Sequence, residues 1–499
     1  MRKKIPIFYS ALLLTGVNLL LRLIGTSFQV YLSGRIGAEG IGLVQLVMSV
    51  GSMAMVAGMA GIRTATMYLT AEETGRGRSE NVTWVLSGCC LYSVAISAGV
   101  AVAVHLAAPF IAENWVGAAE ATQPIRLFAA FLPVNCLCGV MVGYFTGANR
   151  IVTLAAVEVA EQLCTMAATI GLLSLWAGQD SGRASLAVVM GSGLGACLTL
   201  GCLVFLRLRD RAATGPRIPL RGRLTQTAVP LALADDLRTG ITTVENLMVP
   251  QRLALHPGVV SPLAAFGTIH GMVFPVLMFP AAILFGLTEL LIPELARCRA
   301  AGSERRIHYL VRKSLRIALL YGTACGGVMY LCAEALCRRL YSSADAGTYL
   351  KWFAPLAVML YCDSVTDAMI KGLGQQKASV RYNILTNSMD VAFLYTLLPK
   401  YGIRGYFVSF LITHLINFAL SLRRLLKISG EHIPYSVPVL TLTAALVSTW
   451  AASFVSHPIL RPAAYLALLT SLLILLRVVS WADIVWIKGL VLRRSGKKI

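Results

Sequence analysis

Long apolar runs alternate with short polar connections along the whole chain. Each run is about 20–30 residues, enough to cross roughly 30 Å of hydrocarbon at 1.5 Å per residue. Spans are predicted at about 6–33, 41–70, 84–111, 124–148, 151–176, 184–206, 225–254, 262–294, 309–335, 350–371, 379–399, 403–425, 434–455 and 459–481. That makes fourteen. No ten-residue alternating pattern of barrel strands is present, so helices must satisfy the backbone in lipid. The expected fold class is an all-α polytopic membrane protein.

Composition agrees. The 499 residues are 57% hydrophobic and 13% charged, with a mean hydropathy of +0.71. A soluble domain would carry about twice that charge. The net charge of +21 invites a nucleic-acid partner, but the basic residues sit in short loops between spans, as the positive-inside rule requires. With the N-terminus inside, cytoplasmic segments hold 30 of the 44 Lys and Arg and outer loops hold 8. The outer ones include Arg338, Arg339, Lys351 and Arg461. Both termini are therefore expected in the cytoplasm, and no nucleic-acid partner is expected. Met1-Arg2-Lys3-Lys4 and the run after it resemble a signal peptide. The run is too long and carries Arg22, so it reads as an uncleaved first span. The twelve cysteines fall mostly within spans. Neither Cys89-Cys90 nor Cys136-x-Cys138 has a second pair at zinc spacing, so they read as small packing residues and no metal is expected.

No loop is long enough for a soluble domain. The longest, Arg207–Arg223, is basic and is broken by Gly215-Pro216 and Pro219. It divides an N-terminal six-helix lobe (1–206) from a C-terminal one (225–427), with 207–224 as linker. Residues 428–499 add two helices and a basic tail. The two helices cover a groove or pack peripherally. At an offset of 225, Gly147-Ala-Asn-Arg falls on Gly372-Leu-Gly-Gln, Leu172-Leu173 on Leu397-Leu398, and Gly61-Ile-Arg on Gly286-Leu-Thr. One offset serving separate regions suggests a repeat. Six spans per half make the repeat parallel, and transporters built this way bind substrate between the halves and rock one against the other.

Several polar residues fall inside spans. Arg22 lies about 24 Å from Pro6 at 1.5 Å per residue, where a guanidinium costs at least about 2.5–3.5 kcal/mol. It either pairs inside the bundle or faces a polar cavity, with Gln29 on the same face. Arg63 lies in the inner third of span two and either snorkels or faces that cavity. Span seven is the most polar, with Asp235, Asp236, Arg238, Glu245 and Arg252. Asp235 and Arg238 are three apart and able to pair, while Pro230, Gly240 and Pro250 can bend the helix. Arg252, near the outer end, either snorkels or joins the cavity. Asp363 and Asp367 share a face of span ten and are candidates for ion coupling, though Lys371 offers Asp367 a plain helix pair. Glu158 and Glu161 read as residues of a solvated vestibule. Glu289 and Glu294 read as interfacial.

Phosphate loops, zinc-helix motifs and nucleophile elbows are absent from the sequence, and no cofactor is expected. An enzyme is not expected. Instead Arg35-Ile-Gly-Ala-Glu-Gly-Ile-Gly-Leu-Val-Gln-Leu, Gly143-Tyr-Phe-Thr-Gly-Ala-Asn-Arg, Val249-Pro-Gln-Arg-Leu, Leu291-Ile-Pro-Glu-Leu-Ala and Leu398-Pro-Lys-Tyr-Gly-Ile-Arg-Gly-Tyr resemble the polysaccharide-biosynthesis and stage V sporulation protein B group. That group lies in the multidrug/oligosaccharidyl-lipid/polysaccharide (MOP) exporter superfamily. The resemblance covers about 5–480. It implies two six-helix lobes, two added C-terminal helices and a place in the bacterial cytoplasmic membrane.

The resemblance implies a flippase for an undecaprenyl-pyrophosphate-linked saccharide, serving cell wall, spore cortex or polysaccharide. Lipid II flippases of the superfamily carry arginines in a central cationic cavity, some on the first two helices. Arg22 and Arg63 are counterparts by helix rather than by motif, and Gly61-Ile-Arg departs from the group's usual Gly-Ile-Pro. Arg252 is the third cavity candidate, lined by Gln29, Asp235, Asp236, Arg238 and Glu245. Partners implied are the anionic lipid-linked saccharide, membrane lipids and envelope-synthesis proteins. The rival is a cation-coupled drug antiporter of the same superfamily. A non-transporting envelope scaffold is the third reading.

Overall fold

The computed structural model describes residues 7–76, 79–176, 180–209, 221–432, 434–457 and 460–479. The centre of the basic linker (210–220), residues 1–6 and the basic tail lie outside them. Among the described residues every regular element is helical. The helices are α1 (Ile7–Met59), α2 (Ile62–Gly75), α3 (Val82–Phe110), α4 (Thr122–Gly147), α5 (Ile151–Leu175), α6 (Ser181–Arg209), α7 (Arg221–Leu253), α8 (Pro262–Thr268), α9 (Phe274–Met278), α10 (Ala281–Ala300), α11 (Glu304–Tyr341), α12 (Ala344–Phe353), α13 (Ala357–Gly372), α14 (Gln376–Tyr401), α15 (Ile403–Ser429), α16 (Ser436–Ser453) and α17 (Leu460–Leu475).

By length and composition, nine of these helices can cross a membrane, or ten when the pair Pro262–Met278 and Ala281–Ala300, bent by 62°, is one span. Four of the expected fourteen do not stand apart as long apolar helices among the described residues, for identifiable reasons. The first two predicted spans are continuous within Leu19–Thr74, α17 has only 16 residues, and α7 and α14 are long but too polar. The continuity of α1 hides a reversal. Gly37 is non-helical, with φ 70 and ψ 179. Phe28, Leu32 and Ile36 before it share one apolar cluster with Ile41, Val44 and Met48 after it. In a straight helix Phe28 and Met48 would lie about 30 Å apart, so the chain folds back at Gly37, within the turn the sequence marks out.

The chain folds into two compact units: Met1–Pro275 with Val380–Thr413, and Val276–Ser379 with His414–Ile499. In the first, α2 starts from a break at Ala60 and Gly61, both at positive φ. Gly61 (φ 71) is also pressed against α7, where an added Cβ would lie 2.3 Å from the Ala228 carbonyl oxygen. Glycine meets both demands at once, the left-handed backbone and the missing volume. The break sets the direction of α2 and thus the position of Arg63, two residues on.

In the second unit, α11 is the organising helix. The Tyr465 hydroxyl of α17 donates to the Thr323 carbonyl at 2.9 Å, and Tyr465 is fully buried. The two C-terminal helices thereby pack on α11, within an apolar cluster of Ala444, Ala452, Leu469 and Leu473 with Leu320, Ala324 and Val328. Near its start, α11 holds the α15–α16 connection. Arg312 Nε donates to the buried Glu431 carboxylate at 2.6 Å, and His308 Nδ1 lies 3.3 Å from its other oxygen.

Gly61→Ala is expected to destabilise the protein by about 1–3 kcal/mol, the cost of a strained left-handed residue plus the displaced contact. Thermal unfolding of the purified protein in detergent checks this, with Gly171→Ala, which meets open space, as the neutral comparison.

Candidate functional site

In the first unit, Arg22 is half-buried midway along the first segment of α1 and is engaged with a neighbouring group. One turn on, Gly25 faces the Gln162 amide of α5. Gln29, a further turn along, has an enclosed Nε2 without a hydrogen-bond partner, beside Gly271. Arg63 is exposed. Its charge acts on Glu158 of α5, so the acid assigned to a vestibule also faces a cation. Glu161 accepts a hydrogen bond from Thr199 at 2.8 Å. The first segment of α1 packs on α5 near Gln162, and Arg63 of α2 is in electrostatic reach of Glu158.

On α7, Asp235 and Arg238 are exposed, and Asp236 is half-buried with an enclosed, unpartnered Oδ1. Arg252 stacks on Tyr395, its guanidinium carbon 3.2 Å from the ring centroid. The adjacent Gln251 donates to the carbonyls of Asn114 (3.0 Å) and Trp115 (2.6 Å). This third candidate cation is thus held by an aromatic face at the end of α7, away from Arg22 and Arg63 in sequence and in its neighbours.

Glu245 is hydrogen-bonded to Asp390 of α14. Asp390 is buried and accepts from Ser409 at 2.5 Å and Thr413 at 3.2 Å. The Tyr406 hydroxyl, in electrostatic reach of both carboxyls, lies 3.0 Å from His270 Nε2. His270 in turn stacks on Phe266 at 4.3 Å. Two carboxylates in contact repel unless a proton or a cation sits between them, so this cluster can exchange one.

In the second unit, the two carboxylates of α13 take separate roles. Asp367 pairs with Lys371 at 2.6 Å and accepts from the Ser379 hydroxyl. Asp363 accepts from the Asn417 amide at 3.0 Å, and its Oδ1 is enclosed without a partner.

Known proteins place this arrangement. A model described as "Polysaccharide biosynthesis protein" matches residues 8–216, and one described as "MatE" matches residues 260–396. Stage V sporulation protein B of Bacillus subtilis is 22% identical over 408 residues, 79% of this chain and 78% of that protein. The chain is thus similar to the polysaccharide-biosynthesis, stage V sporulation protein B-like group. Sporulation protein YkvU of the same organism is 23% identical over 278 residues, 53% of this chain and 61% of that protein. Among solved structures, the lipid II flippase MurJ in an inward closed conformation superposes with a TM-score of 0.68 at 11% identity, covering 92% of this chain and 98% of that one. An inward-facing multidrug-resistance MATE transporter superposes at 0.66 and 16% identity, covering 83% and 99%. These likenesses give the fold. The chain is a multi-pass membrane protein that shares its fold with a multidrug-resistance transporter and a lipid II flippase.

The cluster around Asp390 is the feature sequence reasoning missed. Asp390 was visible as an acid inside a span, and Ser409 and Thr413 as hydroxyls four residues apart on one helix face. What could not be read was that α7, α14 and α15 meet there. Glu245→Gln and Asp390→Asn are expected to be non-additive in thermal stability, with a coupling of about 0.5–3 kcal/mol, the range for groups in one hydrogen-bond network. A double-mutant cycle by thermal unfolding measures it.

Proposed function

We propose that the chain moves an undecaprenyl-pyrophosphate-linked saccharide, lipid II-like or a polysaccharide repeat unit, across the cytoplasmic membrane by alternating access, for cell wall, spore cortex or polysaccharide assembly. The observation that carries this is Arg22, a half-buried guanidinium midway along the first α1 segment, at the level of the polar stretch of α5. A pyrophosphate head is dianionic and loses its hydration on entering a low-dielectric slab. Guanidiniums replace that hydration with planar, bidentate donors. Arg63, set on α2 by the Gly61 break, is the second binding cation. Arg252, Gln29, Asp235, Asp236 and Arg238 are the further polar residues of the path. The saccharide head crosses while the lipid tail stays in the bilayer.

Coupling is assigned to the Glu245–Asp390 pair, with Asp363 as a second candidate. A proton or cation held between the carboxyls stabilises one conformation over another, and its release returns the protein. Asp367 is a weaker candidate, because Lys371 already neutralises it. We further propose fourteen spans in two six-helix lobes with two added helices, and cytoplasmic termini. The positive-inside count supports the orientation. The flippase likeness extends over more of the chain than the MATE likeness, 92% against 83%, which supports the added helices.

The second reading is a cation-coupled drug antiporter, favoured by the MatE model over 260–396 and by the MATE superposition. Proteoliposomes containing a fluorescent undecaprenyl-pyrophosphate sugar separate the two. Wild type is expected to flip the lipid, and Arg22→Ala to slow flipping by about 100-fold or more, the loss of a charge-assisted contact of roughly 3 kcal/mol. Export of a cationic dye under a Na⁺ or proton gradient, without lipid movement, would establish the antiporter instead.

A further inference from the structure

The far end of α11 carries a polar cavity that the translocation path does not use. It has a volume of about 160 Å³ and lies within the second unit, between α11, the start of the α12–α13 span and the α16–α17 connection. Its charged lining is Lys351, Arg461 and Glu334, with Tyr330, Cys332 and Ser456 beside them. Tyr330 is 26 residues beyond Glu304, about 39 Å along the helix, so the cavity is far from the basic start of α11.

The three charges are arranged unequally. Lys351 Nζ is 3.2 Å from Glu334 and 5.6 Å from the Tyr330 ring centroid. Both partners of that ion pair are substantially exposed, at 42% and 62%, so solvent screens it and an incoming anion can exchange with Glu334. Arg461 is half-buried on the same lining. Its Nε donates to the Val455 carbonyl at 2.9 Å, which fixes the plane of the guanidinium. Its charge reaches Cys332 on the cavity wall. An ammonium and an oriented guanidinium around one small cavity suit a phosphate, which takes planar paired donors from arginine and a point charge from lysine. Arg338 and Arg339, one turn beyond Glu334, are exposed and add positive charge at the same end.

Depth identifies the source of the phosphate. Trp450 and Phe454 lie at the end of α16 next to the connection, 67% and 70% exposed and packed edge to face at 5.1 Å. Tyr349 and Trp352 sit beside Lys351 on α12, with ring centroids 5.8 Å apart. Tyr349 and Trp352 are half-buried, whereas an exposed aromatic such as Trp450 marks headgroup depth. We propose that this cavity is a binding site for the phosphate of an anionic lipid, held by Arg461 and Lys351. Placing it in the outer leaflet rests on the topology proposed above, but the chemistry of the cavity does not.

Native mass spectrometry of the full chain in detergent tests the site, with dioleoyl-phosphatidylglycerol, dioleoyl-phosphatidylcholine and undecaprenyl pyrophosphate as probes. Wild type is expected to retain phosphatidylglycerol about tenfold better than phosphatidylcholine, and Arg461→Gln/Lys351→Gln to lose that preference. Arg305→Gln, at the other end of α11, keeps it. If undecaprenyl pyrophosphate shows the same loss and displaces phosphatidylglycerol, the ligand is the lipid-linked phosphate. If only phosphatidylglycerol does, it is a bilayer phospholipid. Because the double variant can fail to fold, alkylation of Cys332 in wild type is followed residue by residue, and phosphatidylglycerol is expected to slow it at least fivefold. Equal retention of the two phospholipids by wild type, unchanged retention by a folded double variant, or unprotected Cys332 overturns the proposal. Binding is read without translocation, so a negative result here leaves the flippase reading standing, and failure to flip leaves this site standing.

Discussion

Hydrocarbon offers no partner to a bare N–H or C=O, and each unsatisfied group there costs several kcal/mol. That penalty decides the architecture. It forces the described chain into helices, and it restricts irregular backbone to places covered by protein. The break at Ala60–Gly61 obeys this rule, covered by the backbone of α7 at Ala228. The reversal at Gly37 is exposed and falls in the polar turn between the first two predicted spans.

The same penalty, larger for charge, sorts the polar side chains. Asp367 has Lys371 and Glu431 has Arg312, so these acids are compensated where they stand. Glu245 and Asp390 are different, because each has the other carboxyl as a neighbour. Such a pair is tolerated only with a proton or a cation between the two. Arg63 acts on Glu158 of α5, and Gly25, one turn beyond Arg22, faces Gln162 of the same helix.

Arg252 shows how far local context can redirect a charge. In sequence it is another intramembrane arginine on the most polar span. In the fold it lies flat on Tyr395. A cation on an aromatic face is worth about 0.5–2 kcal/mol, enough to hold the side chain without a carboxylate. The cations at the far end of α11 take a third form, partly paired and partly open, next to exposed aromatics.

The hydropathy pattern by itself determined that the chain is a helical membrane protein, where its helices lie, and that Arg22, Glu245 and Asp363 are charges within them. These properties follow from local composition, because the cost of exposing polar groups to lipid acts residue by residue. The pattern did not separate α7 and α14, which are more polar, or the short α17, from strongly apolar helices such as α3 or α6. It ranked Asp363 and Asp367 together because they are four apart, whereas Asn417 from α15 and Lys371 from the same helix give them different surroundings. It passed over Asp390, whose meaning depends on Glu245, 145 positions away. Only the tertiary structure decided which charges meet, because helix-to-helix packing depends on crossing geometry and close approach, as at Gly61 and Ala228, and no periodicity within one helix records its neighbour.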